Sequence, residues 1–182
     1  MAVIRRIMKQ AGRSAAILFM SAPGVLAAGC SPVDAAQESR ATPGVEATVA
    51  TPQRHPVSGL EIIEVTVMRE GKPVVFRTEV ASSAQDQARG LMFRTELADD
   101  EGMLFPSETP APRSFWMKNT PIALDIIFIG TDGRISNIET AVPYSLESVP
   151  SDGAASAVFE IRGGLSDELG IEPGDKVVWE LP

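Results

Sequence analysis

Residues 60–68 read LEIIEVTVM, with apolar and polar positions alternating closely enough to predict a β-strand with one buried face. Glu70-Gly71-Lys72-Pro73 is a turn, and VVFRTEVA (residues 74–81) is the partner strand of a hairpin. The period then changes. In SSAQDQARGLM, Ser82 and Gln85 stand three apart in a capping-box pattern, which predicts a short helix over 84–91. ELADDEG (96–102) is an acidic loop, MLF (103–105) a short apolar run, and 107–112, with two prolines, another loop. SFWM and LDIIFIG read as strands on either side of a break at 118–121. Asp132-Gly133 is a hairpin signal leading into ISNIETAV. A loop over 143–153, a strand AVFEIR (157–162), a helical turn or two in GGLSDELG closed by Gly170, a turn EPGD and a last strand KVVWEL complete the chain. Many short strands with two small helices predict a mainly β (α+β) domain, either a small mixed β-barrel or a compact sheet. No internal repeat is visible.

The first 58 residues have a different pattern. Arg5, Arg6, Lys9 and Arg13 precede an apolar run of small residues, SAAILFMSAPGVLAAG, with no acid before Cys30. A basic start, a short apolar stretch and small residues at its end predict a signal peptide over 1–29. The run is short for a membrane span and contains Pro23. VLAAGC resembles the bacterial lipoprotein signal, in which the thiol is lipidated and becomes the new N-terminus. Ala27 stands where that signal prefers Leu, so cleavage after Ala27 or Ala35 is the alternative. Cys30 is the single cysteine, which excludes an internal disulfide. Residues 30–58 are expected to be a flexible tether, since 31–58 are rich in Ala, Pro, Thr and Ser and lack Leu, Ile and aromatics. His55, the one histidine, falls there and reads as a solvated linker residue. The domain is expected over 59–182.

These assignments place the protein outside the cytoplasm, in the periplasm or cell envelope, touching the membrane only through a lipid at Cys30. They also change its charge. Without the four basic residues of the signal, 12 cations face 24 acids. So acidic a chain is a poor candidate for nucleic acid or anionic lipid surfaces. A small molecule or another envelope protein is the expected partner.

Much catalytic chemistry is missing. With the cysteine and histidine both outside the domain, the usual nucleophile–base pairs are unavailable. G-x-S-x-G, HExxH, Walker and GxGxxG patterns are absent, and no cofactor or metal is expected. A carboxylate hydrolase is the runner-up, because Asp125, Glu139 and Glu160 lie on expected strands. A third idea is Cu(I) held by Met92, Met103 and Met117. Their wide spacing favours methionine as core filler.

Three segments remain: ARGLMFR (88–94), GMLF (102–105) and FWMKNTPIALDIIF (115–128). With GRI (133–135), FEI (159–161) and GIEPGDKV (170–177), in that order, they resemble the family called domain of unknown function 192, DUF192. The similarity spans about residues 60–179. Ala123 stands where that family usually has Pro, and Phe159 where it often has Leu. The resemblance implies a compact, mainly β domain, often secreted or envelope-bound, and no particular activity.

Within the third segment, Pro121 forces Thr120 out of the helical region and Asn119-Thr120 makes a tight turn. Asp125 can accept hydrogen bonds from turn amides, so one reading makes Asn119 and Asp125 turn residues. Four of the domain's cations, Arg89, Arg94, Arg113 and Lys118, fall in or beside these motifs. If an arginine is left free beside Trp116, the indole becomes a platform for a small anion or a sugar face. The candidate ligand-binding residues are therefore Arg89, Arg94, Trp116, Lys118, Asn119 and Asp125, and the expected function is a tethered binding or accessory module.

Overall fold

The computed structural model describes residues 53–181; the signal segment, Cys30 and the tether up to residue 52 lie outside the described residues. The described elements run β1 (Ile62–Arg69), β2 (Lys72–Val80), α1 (Ala84–Arg89), β3 (Glu101–Phe115), β4 (Leu124–Gly130), β5 (Ile135–Ala141), β6 (Val149–Arg162), α2 (Leu165–Leu169) and β7 (Lys176–Trp179). The seven strands form one sheet in the order β5-β4-β6-β3-β2-β1-β7. β2 and β3 are parallel, with α1 in their connection, and the other pairs are antiparallel.

The expected compact sheet is present, but the barrel alternative is not. The sheet is open: its edge strands β5 and β7 share an isolated bridge, Arg134–Lys176, in place of a ladder. Further expectations are corrected. Residues 107–112 and the end of the second expected loop, 149–153, are not loops, since β3 and β6 continue through them as a long antiparallel pair, while 143–148 are loop as expected. The prolines are accommodated at register shifts, between Pro106 and Ala111 and between Pro112 and Ser114. SFWM is not a separate strand: β3 ends at Phe115. The helix cap also moves by one residue. Ser83 is the N-cap of α1, its hydroxyl accepting from the Asp86 amide at 3.1 Å.

Apolar side chains cover both faces of the sheet. One face carries Val65, Val67, Phe76, Leu104, Ile127, Ile129, Phe159 and Ile161, closed over by Leu165 of α2 and by Ile171. The other carries Met103, Phe105, Leu124, Ile126, Phe128 and Val158, closed over by Leu91, Leu97 and Met117. Met103 and Met117 are thus core filler. β6, lying between β4 and β3, buries both of its sides along residues 157–161. Any polar residue in that run is carried into the interior.

Candidate functional site

α1 ends at Gly90, where φ is +48° and the amide bonds back to Asp86. The chain then turns through 91–94 beneath the loop that follows β3. Three backbone bonds tie these loops together: Phe93 N to Asn119 O at 2.8 Å, Tyr144 N to Thr120 O at 3.1 Å, and Met117 N to Ser145 O at 2.9 Å. Phe93, Asn119 and Tyr144 all have left-handed φ, between +57° and +66°. That conformation is uncommon for bulky aromatic residues and concentrates at functional sites. Phe93 and Tyr144 stand largely exposed, and Trp116 is 50% exposed.

Between α1, β3 and this loop lies a cleft of about 300 Å³. All three motif segments reach it, through Arg89 and Met92, through Phe105, and through Trp116 and Thr120. Arg113 also lines it; its Nη1 donates to Ser107 at 2.6 Å, its Nη2 to Gln87 at 3.1 Å, and its guanidinium lies 5.6 Å from the Phe115 ring centroid. Burial lowers the Arg113 pKa from its ordinary value. Lys118 sits over the Trp116 indole, 5.1 Å from its centroid.

Glu160 contributes a carboxyl to this cleft. On β6 it pairs with Met103 on one side and Ile126 on the other, so it stands on the face of the second apolar cluster. It is 5% exposed, and burial pushes its carboxyl pKa up to about 8. None of the ion pairs or side-chain hydrogen bonds of the described residues involves its carboxyl. No fully enclosed side-chain oxygen among the described residues lacks a partner, so the Glu160 oxygens meet the open space of the cleft.

Two of the six expected residues, Arg89 and Trp116, line the cleft. Lys118 backs the indole, and Asn119 holds the turn, its amide 3.8 Å from the Met92 sulfur. The other two belong elsewhere. Arg94 donates through Nη2 to both carboxylate oxygens of Glu79, at 2.6 and 2.7 Å, with His55 Nδ1 3.2 Å away and Ser58 also donating to Glu79. His55 is therefore not a solvated linker residue: only 12% of its side chain is exposed. Arg94→Ala would strand the buried Glu79 carboxylate, and a loss of about 2–3 kcal/mol in urea unfolding is expected. Asp125 lies on the opposite face of the sheet from Glu160, because β4 alternates and Ile126 shares the face of Glu160. It accepts from Thr140, Gly164 and Ser166, not from the 119–120 turn.

The two-carboxylate arrangement is thereby undone. Asp125 and Glu160 are separated by the sheet, and exposed Glu139 opens on a different cleft beyond Ile126. Arg113 and Glu160 were visible in the sequence as a spare cation and a strand acid, but nothing marked them as neighbours of Trp116.

A family model for DUF192, described as an uncharacterised ACR, matches residues 65–179. The chain belongs to the DUF192 family. A UPF0127 protein of Thermococcus sibiricus is 29% identical over 112 residues, 62% of this chain and 71% of the relative. A crystal structure of a protein of unknown function from Novosphingobium aromaticivorans shares 54% identity at a TM-score of 0.69, covering 72% of this chain and 94% of that one. A Sinorhizobium meliloti protein, provisionally called a transcription regulator, shares 34% identity at a TM-score of 0.64, covering 66% of this chain and 95% of its own. The cleft of this DUF192 domain lies wholly within the matched residues.

Proposed function

We propose that this DUF192 protein is an exported, envelope-tethered binding module, anchored by a lipid at Cys30, whose cleft holds a small anion or the face of a sugar. One observation carries the reading: a nearly buried carboxyl, Glu160, has no protein partner and opens into a cleft walled by a half-exposed indole and two arginines. Polar groups buried without partners are costly, and a cleft that keeps one has a use for it. Arg89 has no partner in any ion pair or side-chain hydrogen bond of the described residues, leaving a free guanidinium at the rim.

A hydrolase reading has little support, since a single carboxyl lines the cleft. DNA binding, which the description of the Sinorhizobium relative would imply, fits poorly with a mature chain of 12 cations and 24 acids.

A thermal-shift screen of sugars and small anions against the full chain tests the proposal. A ligand present at a hundred times its Kd should stabilise the fold by about 2.7 kcal/mol. Trp116→Ala is expected to fold with little change in Tm, because half the indole is already in water, and to lose that stabilisation. A variant that unfolds would make Trp116 a core residue and remove the platform.

A further inference from the structure

Glu160 narrows the class of ligand. The charged side chains lining the cleft are Arg89 from α1, Arg113 from β3 and Glu160 itself from β6. Two cations disfavour a cationic guest. An anionic guest gains from them, and meets in Glu160 either a second negative charge or a hydrogen-bond donor, according to where the proton is. The surroundings decide which. β3 and β4 set Met103 and Ile126 on either side of Glu160, and the loop between those strands adds uncharged Met117 and Thr120 to the lining. In this apolar setting the carboxyl pKa rises to about 8, so at neutral pH the group holds its proton and donates.

A carboxylate is the natural acceptor for that donor, since O–H···O⁻ bonds are among the shortest and strongest in proteins. Arg113 is fixed by Ser107 and Gln87 through two of its N–H groups and keeps others free for a guest. Leu91, Met92, Phe105 and Trp116 supply apolar wall, which suits a hydrocarbon or ring body. A phosphate dianion has no such body and brings a second negative charge.

We propose that the cleft takes a small organic carboxylate with an apolar body, and only when Glu160 is protonated, the proton bridging the two carboxyl groups while Arg113 and Arg89 balance the ligand's charge. No covalent bond forms or breaks; one ligand and one proton are bound together. The proposal rests on the reading of this cleft as a binding site.

Calorimetric titration of the full chain with benzoate, at about pH 6.5 and about pH 9.5, tests it, with benzamide, methyl glucoside and inorganic phosphate alongside. Benzoate is expected to bind saturably at the lower pH and about 30-fold more weakly at the higher, where only a few per cent of the protein is competent. Buffers of different ionisation heat should report uptake approaching one proton per benzoate at the higher pH. Glu160→Gln, whose amide donates at every pH, should keep binding and lose the pH dependence. Arg89→Ala should weaken benzoate about tenfold at both pH values. Equal affinity at the two pH values, or binding without proton uptake, overturns the proposal. Binding of glucoside or phosphate that Trp116→Ala abolishes, with none of benzoate, overturns it too, but leaves the cleft a binding site. Absence of saturable binding by all four compounds removes both readings.

Discussion

Asp125→Ala is expected to cost about 4 kcal/mol of unfolding free energy, enough to leave a marginally stable domain partly unfolded at physiological temperature. The side chain is fully buried and accepts four hydrogen bonds: Thr140 Oγ1 at 2.7 Å, Gly164 N at 2.9 Å, Ser166 N at 2.8 Å and Ser166 Oγ at 2.6 Å. It thus joins β5 to the start of α2 across β4. α2 is only five residues long and its cap, Gly164, has no side chain, so the Asp125 carboxylate does the capping from a distance. Alanine would leave two backbone amides and two hydroxyls to find other partners in a dry interior, at roughly 1–3 kcal/mol for each that fails. Asp125→Asn keeps the volume and one acceptor oxygen, and should fall between. Urea unfolding of the three proteins measures the series. A loss below about 1 kcal/mol for the alanine variant would mean that water or Ser166 itself replaces the carboxylate.

Glu160→Gln should do the opposite, increasingly as pH rises above 4.5. In the unfolded chain this carboxyl ionises near its ordinary value of 4.5; in the fold it does not until about 8. Below 4.5 both states hold the proton and the group makes no pH-dependent difference. Between 4.5 and 8 the unfolded state gains by ionising while the folded state cannot follow, so wild-type stability falls as pH rises. Above 8 the loss levels off. At about 1.4 kcal/mol per pH unit, the glutamine variant should gain on the wild type by roughly 3–5 kcal/mol across that window. Parallel stability curves from pH 4 to 9 would show that Glu160 is solvated and ionised, and the binding account would lose its donor. The gain matters for function. A side chain that lowers stability at its working pH, where a neutral isostere would raise it, is what a binding site retains and a purely structural position does not.

The parts of the fold legible in the sequence are those set by local chemistry. Glu70-Gly71 and Asp132-Gly133 turn where expected, with φ of +79° at Gly71 and +74° at Gly133. The long arms of β3 and β6 were hidden because Pro110 and Pro112 read as loop, and only pairing between distant segments shows that register shifts absorb them. His55 was hidden by its Ala- and Pro-rich neighbours; its place beside Arg94 and Glu79 depends on residues far along the chain. Within the site, Arg89 and Trp116 were legible as a cation and an aromatic in one motif set. Arg94 has the same chemistry and meets a buried acid instead, a matter of which way one turn after Leu91 points. Glu160 had a readable sign. In AVFEIR its neighbours are apolar on both alternations, so the strand offers no wet face for a carboxylate. LDIIFIG carries Asp125 under the same condition, and there the carboxylate is satisfied by protein donors. What separates a structural buried acid from a functional one is the presence of partners, and partners come only with the fold.

The most direct measurement uses the protein's two tryptophans. Trp116 lines the cleft, while Trp179, on β7, packs against the other apolar cluster. In the full chain labelled with 5-fluorotryptophan, titration with benzoate should move the Trp116 fluorine resonance saturably and leave that of Trp179 in place. Two resonances that stay still against benzoate, glucoside and phosphate alike, or that move together, would contradict a ligand site at this cleft.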